Sequence, residues 1–413
     1  MSAANPVLSG PPRRVSTSAR RLRFCLLTTF YPPYNFGGDG IFVQRLAGEL
    51  VRRGHHVEVV HSVDAYLALA GSEPAAIDDD GVVVHGLGSR FPVGSTAFTH
   101  QTGSPGFRAE RIREILDSGF DVIHHHNISV LGGPKVLEYG RGLKLYTPHE
   151  YWLVCPTNLL YRFGREPCER RTCARCTLSY RRPPQLWRGT GLMERAARHV
   201  DAFLAPTRFA AAAHAARGFD APFVHLPMFV PEPSGLAPPP AEPYFLFAGR
   251  LEEYKGVQTL IPLFRRRGDR LLIAGAGAYE RELRRLAAGA PNIEFVGHLA
   301  DGELETLYAG ALAVLVPSLL FEVSPAVVLE SFANGTPVIA RDIGALSELV
   351  QDSGGGLLYT REDELDAALD RVARERHVLG GRARRAYEET WSADAHFARY
   401  FSLIETLSAA RAA

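Results

Sequence analysis

The chain has almost no net charge. Its 46 basic side chains face 45 acidic ones, a formal +1 over 413 residues, so no overall field draws it to nucleic acid or to an anionic membrane. It also lacks any apolar run approaching the ~18 residues of a membrane-spanning helix. The first 20 residues (MSAANPVLSGPPRRVSTSAR) hold no apolar stretch of the kind a secretory signal needs. These absences predict a cytosolic protein with at most a peripheral membrane contact, and a disordered tail over residues 1–20. No short-period repeat is present, which argues against a repeat architecture.

What is present is ordinary globular material, 46% hydrophobic and 22% charged. A chain of this length is too long for one ordinary core and predicts two domains. Short apolar strands alternate with amphipathic helices along both halves, which predicts an α/β architecture of parallel sheets covered on both faces. The first half offers strands at FCLLTTF (24–30), HHVEVVH, GVVVHGL, DVIHHH, LKLYTPH, AFLAP and FVHLP. A helix from about Gly40 to Arg53 has apolar spacing at Phe42, Val43, Leu46, Ala47, Leu50 and Val51, and stops at Gly54. The proline-rich stretch 227–243 (PMFVPEPSGLAPPPAEP) has no periodicity and reads as a linker. The expected domains are therefore 21–226 and 244–390, with a last helix over 391–413.

The most informative segment is PSLLFEVSPAVVLESFANGTPV, where Glu322 and Glu330 are separated by seven residues. A strand-like run from Ala313 to Val316 ends at Pro317. Ser324 is an expected N-cap, Pro325 an expected first helical residue, and Gly335 closes the helix. Glu322 then lies on a loop at a strand's carboxyl end, and Glu330 lies inside an apolar helix, where it needs a partner. A carboxylate there, beside a helix N-terminus, can bind a sugar hydroxyl next to a phosphate. Upstream, FLFAGRLEEYKGVQTLIPLF puts Arg250 and Lys255 on the loop between a strand and a helix, a site for a diphosphate. In LLIAGAGAYERELRRL a turn with Gly275 and Gly277 opens another helix.

In order and spacing over roughly 110 residues, these segments resemble the donor-binding half of retaining glycosyltransferases of the GT-B class, family 4 (group 1). The matching pieces are GRLEEYKG at Gly249–Gly256, the G-x-G at Gly275–Gly277, NIEFVGHL at Asn292–Leu299, and the glutamate pair with GTPVIA at Gly335–Ala340. The resemblance implies two Rossmann-like doubly wound domains facing across a cleft, a last helix crossing back to the first domain, and a nucleotide-sugar co-substrate. It implies that Glu330 binds donor ribose, Glu322 binds the sugar hydroxyls, and Arg250 and Lys255 hold the leaving diphosphate in place of a metal. Val296, Val323 and Ser324 would also border the donor.

In the first half, Gly37 and Gly38 precede a helix, and paired glycines allow a backbone to approach a phosphate closely. The resemblance places them at the donor diphosphate and beside the acceptor. Asp39 either hydrogen-bonds an acceptor or caps the helix. Thr147 and His149 match the family's T-x-H placement, which implies that His149 contacts the donor sugar or its leaving-group side. His124, His125 and His126 look like metal ligands, but alternate strand residues face opposite sides, so only His124 and His126 share a face. They are expected to form a polar strand end lining the cleft.

Cys155, Cys168, Cys173 and Cys176 fall within 22 residues, spaced C-x12-C-x4-C-x2-C. Four thiolates at this spacing suit a structural zinc. An iron–sulfur cluster, two disulfides or free thiols stay open, disulfides being disfavoured in a reducing cytosol. Cys25 reads as core. The expected activity is transfer of a sugar from a UDP- or GDP-linked donor to a saccharide, lipid-linked or small-molecule acceptor, with no catalytic metal and no nucleic-acid partner. The alternatives are a phosphorylase or epimerase on the same scaffold, or a non-catalytic sugar-nucleotide-binding module.

Overall fold

A computed structural model describes residues 20–75, 81–235, 240 and 242–413; apart from Arg20, the expected tail lies outside the described residues. Two parallel sheets carry the chain. The first contains β1 (Arg23–Leu27), β2 (His56–Ser62), β3 (Val82–Leu87), β4 (Val122–His125) and β5 (Leu143–Tyr146). A small antiparallel hairpin, β6 (Tyr161–Arg162) and β7 (Glu166–Pro167), stands apart, and β8 (Ala202–Ala205) and β9 (Phe223–His225) complete the sheet in the order β3-β2-β1-β4-β5-β8-β9. The second sheet contains β10 (Phe245–Ala248), β11 (Leu271–Ala274), β12 (Ile293–Gly297), β13 (Val314–Val316), β14 (Val338–Arg341) and β15 (Gly356–Tyr359), ordered β12-β11-β10-β13-β14-β15.

The central strands are buried on both faces, which is why β8, β10 and β11 read as unbroken apolar runs, whereas β4 and β5 bury His124, His125 and Lys144 as well. In both sheets the order reverses beside the first strand, between β1 and β4 and between β10 and β13. Open parallel sheets bind ligands at the strand carboxyl ends beside such a switch point. Helix Gly38–Arg52 buries Phe42, Val43, Leu46, Ala47 and Leu50.

The proline-rich stretch is not loose at its start. Met228, Phe229 and Val230 are buried in a core shared by both sheets, and the Val230 N–H donates to the Trp391 carbonyl at 3.2 Å. Composition signalled the prolines but not the Phe229 anchor. The last helix, Ala393–Ala412, crosses back: Tyr400 stacks on Phe24 of β1 with ring centroids 6.2 Å apart, and Arg411 bonds the Gly142 carbonyl at 2.9 Å. Among the described residues no helix is long and apolar enough to cross a membrane.

Candidate functional site

The carboxyl ends of β12, β11, β10 and β13 are neighbours, so their loops lie side by side. The Gly249 N–H donates to Ala274 O at 3.0 Å, and the Gly275 N–H to Gly297 O at 2.7 Å. At Gly275 (φ +129°) a Cβ would collide with the Gly249 carbonyl, and at Gly277 with the Leu251 backbone. These two glycines are therefore required by loop-on-loop packing, whatever else they approach. Val296, at the end of β12, is half-buried against the main core and adds an apolar wall.

On this platform Lys255 Nζ donates to Glu322 Oε1 at 2.6 Å, and Ser318 Oγ donates to the same oxygen at 2.8 Å. Burial pushes the Glu322 carboxyl up, but the Lys255 ammonium and the Ser318 hydroxyl outweigh it and leave the carboxyl below its usual range. Arg250 is exposed and donates to Tyr254 OH at 3.2 Å, its charge also favouring the Glu322 carboxylate. Side chains of the first half hold the loop: Tyr151 OH donates to Glu322 O at 3.0 Å and Thr207 Oγ1 to Val323 O at 2.8 Å. Val323 is buried with Tyr151, Cys155, Leu160 and Ala210. The helix that follows begins one residue later than expected. Pro325 is the N-cap of Ala326–Ala333, and Ser324 makes no cap bond. The reason is that Pro325 adopts an extended ψ of 113°.

Glu330 is engaged elsewhere. Arg45 of helix Gly38–Arg52 donates to Oε1 at 3.0 Å and Tyr308 OH to Oε2 at 3.1 Å. These residues line a shallow pocket with Leu304, Asn334 and Pro231. The partner that an apolar helix demanded thus comes from the opposite domain, which sequence spacing does not reveal.

The facing wall starts at Gly37 and Gly38. A methyl group at Gly38 would meet nothing within 4 Å, so its bareness serves open space and not protein packing. Asp39 does not cap its helix, which has no side-chain cap bond; its Oδ2 accepts from Asn127 Nδ2 at 3.1 Å. His149 is partly accessible, with Nε2 2.9 Å from His126 Nδ1 and its ring 5.2 Å from Phe42. Burial lowers the His149 pKa, opposed by the Asp39 carboxylate. His124 and His126 do share a face, with ring centroids 4.1 Å apart. They do not line the cleft, however, because the last helix and Phe42 cover them: His124 bonds Tyr400 OH and Thr147 Oγ1, each at 2.9 Å.

One residue escaped the sequence reading. Glu150 accepts from Asn158 Nδ2 at 2.9 Å, and no cation among the described residues comes within ion-pair distance. Burial first, then the Asp39 carboxylate, push its pKa up to about 8, against the Asn158 hydrogen bond and the charges of Arg182 and Arg188. Strongly perturbed carboxyls in clefts are candidates for function. Its only sequence signal was adjacency to His149, since Asn158 and the arginines reach it through the folded insert.

The expected zinc site is not supported. Among the described residues no group of three or more potential ligands is arranged to hold a metal. Cys155 packs in the small cluster beneath Val323, Cys176 Sγ accepts from the Phe163 N–H at 3.4 Å, and Cys173 is exposed. The thiols are nonetheless neighbours: Cys168 packs against the same cluster as Cys155, Cys173 and Cys176 lie on one helix, Cys173–Ser179, and burial first, then Cys155, Cys173 and Cys176, push the Cys168 thiol up, opposed by Arg217. Cys25 is buried in β1, its thiol pushed well up by burial.

The profile described as "Glycosyl transferases group 1" matches residues 232–389, and that described as "Glycosyltransferase Family 4" matches residues 36–231. A D-inositol 3-phosphate glycosyltransferase of Pseudarthrobacter chlorophenolicus is 30% identical over 396 residues, spanning 86% of this chain and 87% of that protein. A glycogen synthase of Thermus thermophilus is 34% identical over 134 residues, 31% of this chain and 30% of its own. Among solved structures, sucrose-phosphate synthase from Thermosynechococcus elongatus superposes with a TM-score of 0.71 at 20% identity, covering 94% of this chain and all of its own. The Anabaena HepE protein in complex with UDP gives 0.61 at 17%, covering 94% and 100%.

Proposed function

Because this chain belongs to the group 1 glycosyl transferases of family 4, we propose that it moves a sugar from a UDP- or GDP-linked donor to an acceptor hydroxyl, with retention at the anomeric carbon. The observation that carries this reading is the Lys255–Glu322 pair beside Arg250 at the strand carboxyl ends. A nucleoside diphosphate must depart while the sugar gains positive character. Arg250 and Lys255 stabilise the growing negative charge on the diphosphate, as fixed cations in a shielded site do. The 2.6 Å contact lets one ammonium serve both the diphosphate and the carboxylate that grips the sugar hydroxyls.

Gly38 supplies room for the diphosphate on the facing wall, Glu330 binds the ribose, and the walls of Gly275, Gly277, Val296 and Ser324 border the donor. His149 orients the sugar. The leaving phosphate takes the acceptor proton, so the reaction needs no separate strong base. Closure of the two halves excludes water, the competing acceptor. The acceptor is a saccharide, a lipid-linked saccharide or a small metabolite. The name of the relative spanning most of this chain puts a polyol phosphate first among acceptor trials. The reaction is placed in the cytosol, with at most peripheral membrane contact.

The test is a thermal-shift screen of the full chain against UDP, GDP, ADP and their glucose and mannose conjugates, without added metal. A shift confined to one base supports the donor site and fixes the base. No shift from folded protein with any of them refutes the nucleotide-sugar reading.

A further inference from the structure

We infer that His126 is a positioning residue that holds the His149 proton on Nδ1, so that His149 meets the cleft as a hydrogen-bond donor and not as a base. The inference deepens the proposed function and rests on it for the meaning of His149, though not for the proton's location.

The argument begins with the buried ring. His126 is fully buried, and its Nε2 has no hydrogen-bond partner among the described residues. Burial first, then His124 and His149, hold His126 well below the usual histidine range, so it carries one ring proton. That proton sits on Nδ1 or on Nε2. On Nε2 it would be a buried N–H with no acceptor, a rare and costly arrangement; on Nδ1 it leaves only a bare lone pair behind. The favoured tautomer therefore has His126 Nδ1–H donating to His149 Nε2 across 2.9 Å.

The consequence passes to the next ring. A neutral imidazole has one donor and one acceptor nitrogen. With Nε2 accepting from His126, the single proton of His149 must sit on Nδ1. That nitrogen is bonded to no protein group among the described residues, and the residue is partly accessible, so the donor is available to a ligand oxygen. The charge within reach of His149 is the Asp39 carboxylate, and no cation appears among its electrostatic partners, a field that favours an N–H over a lone pair. Phe42 packs on both rings, with centroids 6.2 Å from His126 and 5.2 Å from His149, and fixes their orientation. The pair is anchored behind by His124, which is tied to Tyr400 of the last helix.

The deciding experiment is 15N-detected tautomer assignment on full-length protein labelled at histidine, with the His149 signals identified from H149Q. The expected result is a protonated Nδ1 and a bare Nε2 on His149 in the unliganded wild type. A protonated Nε2 there overturns the inference. His126→Asn places an amide N–H where Nδ1 stood and is expected to keep that tautomer and most of the turnover. His126→Phe is expected to leave His149 as a mixture of tautomers and to lower kcat on the nucleotide sugar chosen by the thermal-shift screen, with KM for that donor little changed. An unaltered His149 tautomer in folded H126F also overturns the inference. If H126F fails to fold, the wild-type spectrum and H126N still decide. Failure of the nucleotide screen with the expected tautomer present would refute the transfer reading alone.

Discussion

The two walls of the cleft solve the problem of buried polarity in opposite ways. On the wall from the second half, two carboxylates are met by cations: Glu322 by Lys255 of the same half and Glu330 by Arg45 of the facing one, at 2.6 and 3.0 Å. The wall from the first half contributes the Asp39 carboxylate and the Arg45 guanidinium, but its buried histidines and Glu150 are held near neutrality. His124, His126 and His149 have lowered pKa values, and Glu150 is raised to about 8 with an amide as its hydrogen-bonding partner. The difference teaches where charge is needed. Under the proposed function, the departing diphosphate is what the fixed cations would serve, and recognition of uncharged hydroxyls what the hydrogen-bonding groups of defined protonation would serve.

The strongest break of this contrast is Lys255→Ala. It removes the cation proposed for the diphosphate and strands the Glu322 carboxylate, and turnover should fall by ~10²-fold or more; a variant retaining most of its rate in a nucleotide-release assay would take Lys255 out of that role. Phe42→Ala attacks the other wall from beneath. It empties space beside His126, His149 and Phe229 and should destabilise the chain by about 3–5 kcal/mol in denaturant titration. Glu330→Gln keeps the shape and the Tyr308 contact but loses the charge facing Arg45. It should raise KM for the donor by roughly tenfold, about 1.4 kcal/mol, with kcat less affected.

Glu150→Gln sharpens the contrast through pH. A carboxyl whose folded pKa is about 8, above its unfolded value near 4.5, binds a proton more tightly when folded, so wild-type stability falls as pH rises through that window. The glutamine variant lacks this loss. Its melting temperature relative to wild type should therefore climb between pH 5 and 8 and level off above; a constant difference would refute the raised pKa. The smallest effect belongs to Cys173→Ser. This thiol is exposed, and its replacement should shift the melting temperature by no more than a surface substitution does, about ±0.5 kcal/mol in stability.

Legibility in the sequence followed the range of the interaction. Apolar runs such as FLFA at β10 and LLIA at β11 announce buried strands because burial on both faces leaves no alternation to read. The loop residues Arg250, Lys255 and Glu322 were legible because strand and helix signals bracket them tightly. The same local logic misplaced the N-cap at Ser324, where the extended Pro325 takes the position. For the cysteines, spacing along the chain suggested a ligand set; the fold brings the thiols near one another, but among the described residues no group of three or more is arranged to hold a metal.

The sequence by itself determined two parallel α/β halves and the loops that carry the cationic wall, because both depend on contacts between residues near each other in the chain. Only the tertiary structure decided what each polar group faces. Glu330 meets Arg45 across 285 positions, and Tyr400 reaches His124 across 276. Protonation follows from such neighbours, because burial and nearby charge, which set a pKa, are properties of the folded space around a side chain.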